Sequence, residues 1–236
     1  MSPLRAVVLD VDGTLVDSER DGHRVAFNTA FRSLGLDHEW DVETYGELLA
    51  TTGGRQRLEA FLLDQGWSAL RAATTADELH TVKTREFVRM VEAGAVPPRE
   101  GVTRLLDELT TSGIALHVAT TGSRAWVEPL LSAAFAGTAF GVVVTGDDVR
   151  ALKPDPAAHR RVLELADLDP DEAVALEDSQ PGVAAAGGAG LRVCAVRNDY
   201  TRHHDLTAAS AVHDTFATVT VHHLANLAES ARDDSA

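Results

Sequence analysis

The chain has 236 residues, 44% of them hydrophobic, enough to bury a sizeable core in one large domain or two unequal ones. Twenty-one basic residues against thirty-six acidic ones give a net charge of −15, which repels nucleic acid and anionic membrane surfaces at long range and argues against both as partners. No apolar run is long enough to span a membrane, and the single cysteine, Cys194, excludes an intrachain disulfide framework.

Arg5 to Asp10 reads as a buried strand running into Asp10-Val11-Asp12-Gly13-Thr14. Its apolar stretch, Ala6 to Leu9, is too short for the hydrophobic region of a signal peptide. With the lone thiol suited to a reducing compartment, a cytoplasmic location is expected, and a monomer. From Ser18 to about Val96 the pattern is helical. His23, Ala26, Phe27, Ala30, Phe31 and Leu34 mark one amphipathic face closed by Gly35, and further helices are expected over 45–50, 57–63 and 76–91. Pro97-Pro98 ends this block.

Alternation follows. Helices are predicted over 101–111, 126–134, 155–166 and 180–189, and strands over 114–119, 141–145, 173–177 and 192–196. Residues 233–236 read as a frayed tail. Strands alternating with helices predict an α/β fold with a doubly wound parallel sheet, built from 1–16 and 98–236, with a helical cap inserted at 17–97.

In such sheets ligands bind at the carboxyl ends of the strands. The residues there form a coherent set: Asp10 and Asp12, then Thr120 and Thr121, then a loop with Asp147, Asp148 and Lys153, then Glu177, Asp178 and Ser179. Converging carboxylates repel one another and need a cation, and an all-oxygen set suits a hard ion such as Mg²⁺. Asp10, Asp178 and the main-chain carbonyl of Asp12 are the natural ligands, with Glu177 close by or acting through water.

A carboxylate attacking a phosphate dianion at ~4 Å meets a repulsion of roughly 4 kcal/mol at an effective dielectric near 20, about three orders of magnitude in rate. Mg²⁺ and the Lys153 ammonium would offset it. The basic residues comprise nineteen Arg and only two Lys, Lys83 and Lys153, which singles out positions that use a compact ammonium. Asp10 is then the candidate nucleophile and Asp12 the candidate general acid and base, while Thr120 and the following N–H groups hold phosphate oxygens. Gly13 permits the turn that brings Asp12 over the site.

These segments resemble the haloacid dehalogenase superfamily. Asp10-Val11-Asp12-Gly13-Thr14-Leu15 resembles its first motif, Thr120-Thr121-Gly122 the second and Lys153-Pro154-Asp155-Pro156 the third. Glu177-Asp178-Ser179 with Gly182-Val183-x-Ala185-Ala186 resembles the fourth, and the inserted helices look like the small cap of the β-phosphoglucomutase-like subgroup. More narrowly, Trp40 to Leu49, Thr51 to Arg57, His80 to Thr84 and Tyr200 to His203 resemble the CbbY-type phosphatases. That resemblance implies an Mg²⁺-dependent phosphatase passing through an aspartyl-phosphate. The implied substrate is a small sugar phosphate, xylulose 1,5-bisphosphate, an inhibitory by-product of Rubisco, which is converted to xylulose 5-phosphate. It also implies that Glu19, Gly53, Gly54, Arg57, His80 and Lys83 face the substrate from the cap, and Asp12, Thr120, Thr121, Gly122, Ser123 and Arg124 from the core. The second phosphate of a bisphosphate needs its own cations, for which Arg57 and Lys83 are the best cap candidates.

The resemblance has two departures. Ser18 to Gly22 is one residue longer than the family's usual version, and Thr121-Gly122-Ser123-Arg124 replaces a more Ser/Thr-rich run. Three other readings stand beside the leading one: a β-phosphoglucomutase-type isomerase with the same intermediate, a phosphatase for another small phosphate, and a non-catalytic sugar-phosphate binder. The last would be expected to lack Asp10 or Asp12, and both are present.

Overall fold

The computed structural model describes residues 4–233. The tail expected from Asp233 onward lies outside them, apart from Asp233 itself, which ends the last helix.

The chain divides into two compact units, crossing between them at Val16/Asp17, Pro97/Pro98, Arg124/Ala125 and Ala134/Phe135. The first unit holds a six-stranded sheet whose adjacent strands are all parallel. Its strands are β1 (Ala6–Leu9), β2 (Ala115–Ala119), β3 (Val143–Val144), β4 (Ala173–Glu177), β5 (Arg192–Val196) and β6 (Ala211–His213), in the order β3-β2-β1-β4-β5-β6. β1 and β4 are buried along their whole length, as central strands covered on both faces must be, which explains why they are apolar throughout up to Glu177, the last residue of β4. Alternate residues Ala6, Val8, Ala173, Ala175, Val193 and Ala195 share one core cluster with Ala158, Val162 and Leu163 of helix α7 (Ala157–Ala166) and Val183 and Ala186 of helix α8 (Gln180–Gly188). Helix α5 (Val102–Thr111) packs on β2, and helix α9 (Val221–Asp233) packs on β4, β5 and α5. The strand order reverses between β1 and β4, and that switch point is where a doubly wound sheet opens its crevice.

The second unit is helical: α1 (Arg24–Ser33), α2 (Val42–Leu48), α3 (Gly54–Asp64) and α4 (Ala69–Glu92), joined by Ala125–Ala134 of α6 (Arg124–Ala134). That last segment departs from the expectation of a core running unbroken from 98 to 236. Trp126 makes edge contacts with His23 and Phe87, at ring-centroid distances of 5.0 and 5.2 Å, and so ties α6 to the turn preceding α1 and to α4. A π-helical turn, Glu19–His23, leads into α1, with the Arg24 N–H reaching back to the Glu19 carbonyl. The 18–22 segment therefore follows a helical path rather than looping out, in a turn one residue wider than an α-helical one. Gly35, at φ +67°, closes α1 with the Leu36 N–H bonded to the Phe31 carbonyl.

Five predicted elements have corrected boundaries. α2 spans Val42–Leu48 rather than 45–50, α3 starts at Gly54 rather than 57, α4 starts at Ala69 rather than 76, β3 is only two residues long, and the 155–166 helix begins at Ala157 because Pro156 stands at its N-cap. β6 and α9 were not predicted from the sequence. No helix among the described residues is long and apolar enough to cross a membrane.

Candidate active site

Asp10 follows β1 directly, and Glu177 and Asp178 end and follow β4, so the switch point of the sheet brings three carboxylates together. All three are buried, and each offers a ligand oxygen within 4.8 Å of the others. Lys153 comes from the loop after β3, where the Lys153–Pro154 peptide is cis. Its buried Nζ donates to Asp10 Oδ1 at 2.7 Å and to Glu177 Oε1 at 2.6 Å.

The charges are out of balance. Three carboxylates against one ammonium leave two negative charges, the charge of one divalent cation. Burial pushes the Asp10 carboxyl up to about 7, with Lys153 opposing the rise and Glu177 adding to it. Burial, followed by the Asp10 and Glu177 charges, holds Asp178 well above the usual carboxylate range. Burial opposes the charge of Lys153, yet the two carboxylates beside it keep its pKa raised. Glu177 is held low despite its burial by Lys153 and by His159, whose Nε2 lies 3.1 Å from Oε1. The other oxygen, Glu177 Oε2, is buried with no hydrogen-bond partner. An orphaned carboxylate oxygen and two carboxyls pushed toward protonation are the features expected of a hard-cation site, so the residues present fit Mg²⁺.

Neighbouring loops fix this cluster. Thr14 Oγ1 lies 3.2 Å from Asp10 Oδ2 and 3.4 Å from Asp178 Oδ1, placed to donate to either. Asn198, after β5, donates to Asp178 Oδ2 at 2.6 Å and to the Gly13 carbonyl at 3.1 Å. The Arg99 guanidinium also caps the Gly13 carbonyl and holds that of Arg197. Gly13, at φ +76°, has a second reason to lack a side chain: a Cβ there would run into the Asp178 carboxylate and the Asn198 amide. Gly182 at the start of α8 is constrained likewise by the Glu177 carboxylate. Sequence reasoning named neither Thr14, His159 nor Asn198 as site residues. Thr14 sat within a quoted motif, whereas His159 and Asn198 carried no spacing signal.

The remaining core residues expected at the site follow β1 and β2. Asp12 is half-buried and bridges to Val16. Thr120 is buried, its hydroxyl accepting from the Gly122 N–H at 3.1 Å. The Gly122 carbonyl accepts from Gly146, and Thr121 and Ser123 are half-buried. Arg124 is engaged elsewhere, with Nη2 2.5 Å from Asp148 Oδ2 and its N–H donating to Asp147 Oδ2 at 2.8 Å. Asp148 also accepts from the Thr145 N–H and hydroxyl, which makes it a cap of the turn at 146–148.

In the helical unit the expected residues form two groups. Glu19 accepts from the buried Tyr45 hydroxyl, which in turn accepts from Arg57 Nη1 at 3.1 Å. Arg57 is buried, its Nε donating to the Leu48 carbonyl at 3.0 Å. Gly53, at φ +91°, caps α3, and a Cβ on Gly54 would press on the Phe27 and His80 rings. Lys83 is buried with its ammonium 5.0 Å from the Phe27 ring and 5.2 Å from the Phe87 ring, in cation–π range. His80 is half-buried and pushed down to about 4, by burial first and then by Lys83, His23 and Arg55.

Residues 4–190 match the haloacid dehalogenase-like hydrolase family. The chain is 42% identical over 217 residues to the protein CbbY of Cereibacter sphaeroides, covering 91% of this chain and 93% of that protein. It is 36% identical to a CBBY-like protein of Arabidopsis thaliana, over 89% of this chain and 68% of that one. Among solved structures it is similar to the D10N mutant of CbbY from Rhodobacter sphaeroides in complex with xylulose-(1,5)bisphosphate. There the TM-score is 0.84 and the identity 42%, over 91% of this chain and 96% of that one.

Proposed function

Because the chain belongs to the haloacid dehalogenase-like hydrolases, we propose that it is an Mg²⁺-dependent phosphatase converting xylulose 1,5-bisphosphate and water to xylulose 5-phosphate and phosphate. The observation that carries this reading is the buried Asp10–Lys153–Glu177–Asp178 cluster at the switch point, in a chain so similar to a protein solved with that bisphosphate.

Asp10, Asp178 and the Asp12 carbonyl would hold the cation, with Glu177 beside them. When bound, Mg²⁺ supplies positive charge that lowers the repulsion between a carboxylate nucleophile and the phosphoryl group. An Asp10 oxygen forms a bond to phosphorus as the bond from phosphorus to the sugar C1 oxygen breaks. Asp12 gives that oxygen its proton and leaves as a carboxylate. The same carboxylate then takes a proton from water, whose oxygen bonds to phosphorus while the phosphorus–Asp10 bond breaks, restoring Asp10 and releasing phosphate. Lys153 offsets charge beside the transferring group. The Thr120 hydroxyl, whose oxygen accepts from the Gly122 N–H, and the N–H of Thr121 hold its oxygens, with Gly122, Ser123 and Arg124 adjoining.

Glu19, Gly53, Gly54, Arg57, His80 and Lys83 are assigned to the rest of the substrate, with the Arg57 and Lys83 cations taking the second phosphate. A sulfhydryl-reducing cytoplasm and a monomeric state complete the reading. The test incubates purified protein with xylulose 1,5-bisphosphate, other pentose bisphosphates and hexose phosphates, and measures free phosphate against isomerised sugar. Free phosphate released fastest from xylulose 1,5-bisphosphate, and abolished in folded Asp10→Asn, is expected. Isomer without phosphate would make the protein a mutase, and turnover unchanged in Asp10→Asn would remove the nucleophile.

A further inference from the structure

Asn198 uses its hydrogen-bonding capacity in full. Its Oδ1 accepts from the Tyr200 N–H at 2.9 Å and the Thr201 N–H at 3.0 Å, and its own N–H donates to Thr201 Oγ1 at 3.0 Å. With the amide oxygen committed to two donors, its orientation is fixed, and Nδ2 must face Asp178 Oδ2 and the Gly13 carbonyl. The half-buried amide therefore spends both its protons on the two loops that would hold the cation. Asp178 Oδ2 is occupied on the side facing Gly13, while Oδ1 lies toward Thr14 and Asp10.

We propose that Asn198 is a positioning residue for the cation: by holding Asp178 Oδ2 it leaves Oδ1 as the one oxygen of Asp178 turned to the metal, and it ties the Asp12–Gly13 loop to that ligand. This rests on the Mg²⁺ site proposed above. Asn198 touches no reacting atom in this scheme, so its effect acts through the ligand. A carboxylate free to rotate offers either oxygen and can swing away from a small octahedral ion, whereas an oriented one presents a fixed donor. The Asn198-to-Thr201 turn, held by Thr201 Oγ1, exists on this account to aim one amide.

Isothermal titration of the metal-free protein with MgCl₂ tests the idea without any substrate. Asn198→Ala is expected to weaken Mg²⁺ binding by about 10- to 100-fold, the range typical of lost outer-shell contacts. Thr201→Val, which leaves the amide but loosens its turn, should weaken it less and in the same direction. In both variants the loss of turnover should be larger at limiting than at saturating Mg²⁺, because the groups that touch the reacting atoms are unchanged. A merely structural role would lower the melting temperature and leave the Mg²⁺ dissociation constant alone. A dissociation constant within twofold of wild type in folded Asn198→Ala or in folded Thr201→Val, with wild type binding Mg²⁺ and releasing phosphate, overturns this inference alone. A wild-type protein that takes up no Mg²⁺ overturns the site reading and this inference with it.

Discussion

Lys153 Nζ lies 2.7 Å from Asp10 Oδ1, and both groups are buried, so the ammonium and the candidate nucleophile form a desolvated pair. Such a pair is costly to break from one side, because the surviving charge has no water to turn to. Lys153→Met is expected to lower kcat by more than tenfold and by at most about 1,000-fold, the factor that the whole repulsion of roughly 4 kcal/mol, offset jointly by Lys153 and Mg²⁺, implies. Urea unfolding of the metal-free variant should show a loss of about 3–5 kcal/mol. Lys153→Arg should restore little, since a planar fork does not fit between Asp10 and Glu177 as a point charge does. A Lys153→Met enzyme with kcat within tenfold of wild type would refute the assigned role.

Two glycines in one helix give a paired test of packing around Glu177. A Cβ on Gly182 would run into the Glu177 carboxylate, which Lys153 holds in place, whereas a Cβ on the exposed Gly187 would meet nothing within 4 Å. Ala in place of Gly favours a helix by up to about 1 kcal/mol, and overpacking costs about 1–3 kcal/mol. Gly187→Ala should therefore raise the melting temperature, and Gly182→Ala should lower it and slow turnover. Equal shifts in the two variants would show that the helix start is not packed as described.

How much of this could be read in the sequence depends on whether a feature is carried by order along the chain or by order across the sheet. The ends of β1 and β4 announce themselves, because an apolar run long enough for a fully buried strand is followed at once by acids. Asn198 and His159 give no such signal. Asn198 meets Asp178 because β5 lies beside β4, and His159 meets Glu177 because of how α7 is seated; both are facts of sheet order and packing rather than of spacing. α9 does carry apolar residues at helical spacing, Val221, Leu224, Ala225, Ala228 and Ala231, so that helix was legible in the sequence. β6, with three residues, none fully buried, is too short to show a period. The start of α4 is similar, since Leu70 points largely to solvent and Thr74-Thr75 are poor helix formers. The π turn over Glu19–His23 has no signature in the sequence, and only the structure shows that it delivers Glu19 to the Tyr45 hydroxyl.

Cation uptake should be linked to protons. With Asp10 pushed up to about 7 and Asp178 raised as well, the metal-free site binds protons that a cation must displace. Mg²⁺ affinity is expected to rise with pH between about 6 and 8, as the proton that competes for Asp10 is lost. Calorimetry in buffers of differing ionisation enthalpy should detect proton release at pH 6 that diminishes by pH 8. Affinity independent of pH over that window would mean that the carboxylates are already ionised without metal. Asp10→Asn should remove the part of the dependence centred near 7.

His80 offers a separate pH test in the helical unit, where burial first, and then the Lys83, His23 and Arg55 charges, hold its pKa down at about 4 against an ordinary 6.5. Above pH 6.5 the imidazole is neutral whether the chain is folded or not, so it contributes no slope. Between 6.5 and about 4 the unfolded chain takes up a proton that the folded one refuses, so stability must fall as the pH falls through this window. His80→Gln keeps a polar side chain and removes the titration. The difference in unfolding free energy between variant and wild type should accordingly be constant above pH 6.5 and shift in favour of the variant as the pH drops toward 4. A difference that stays flat to pH 4 would show that His80 takes up its proton in the folded protein, and that the Lys83 ammonium close to it is not the charge that keeps it neutral.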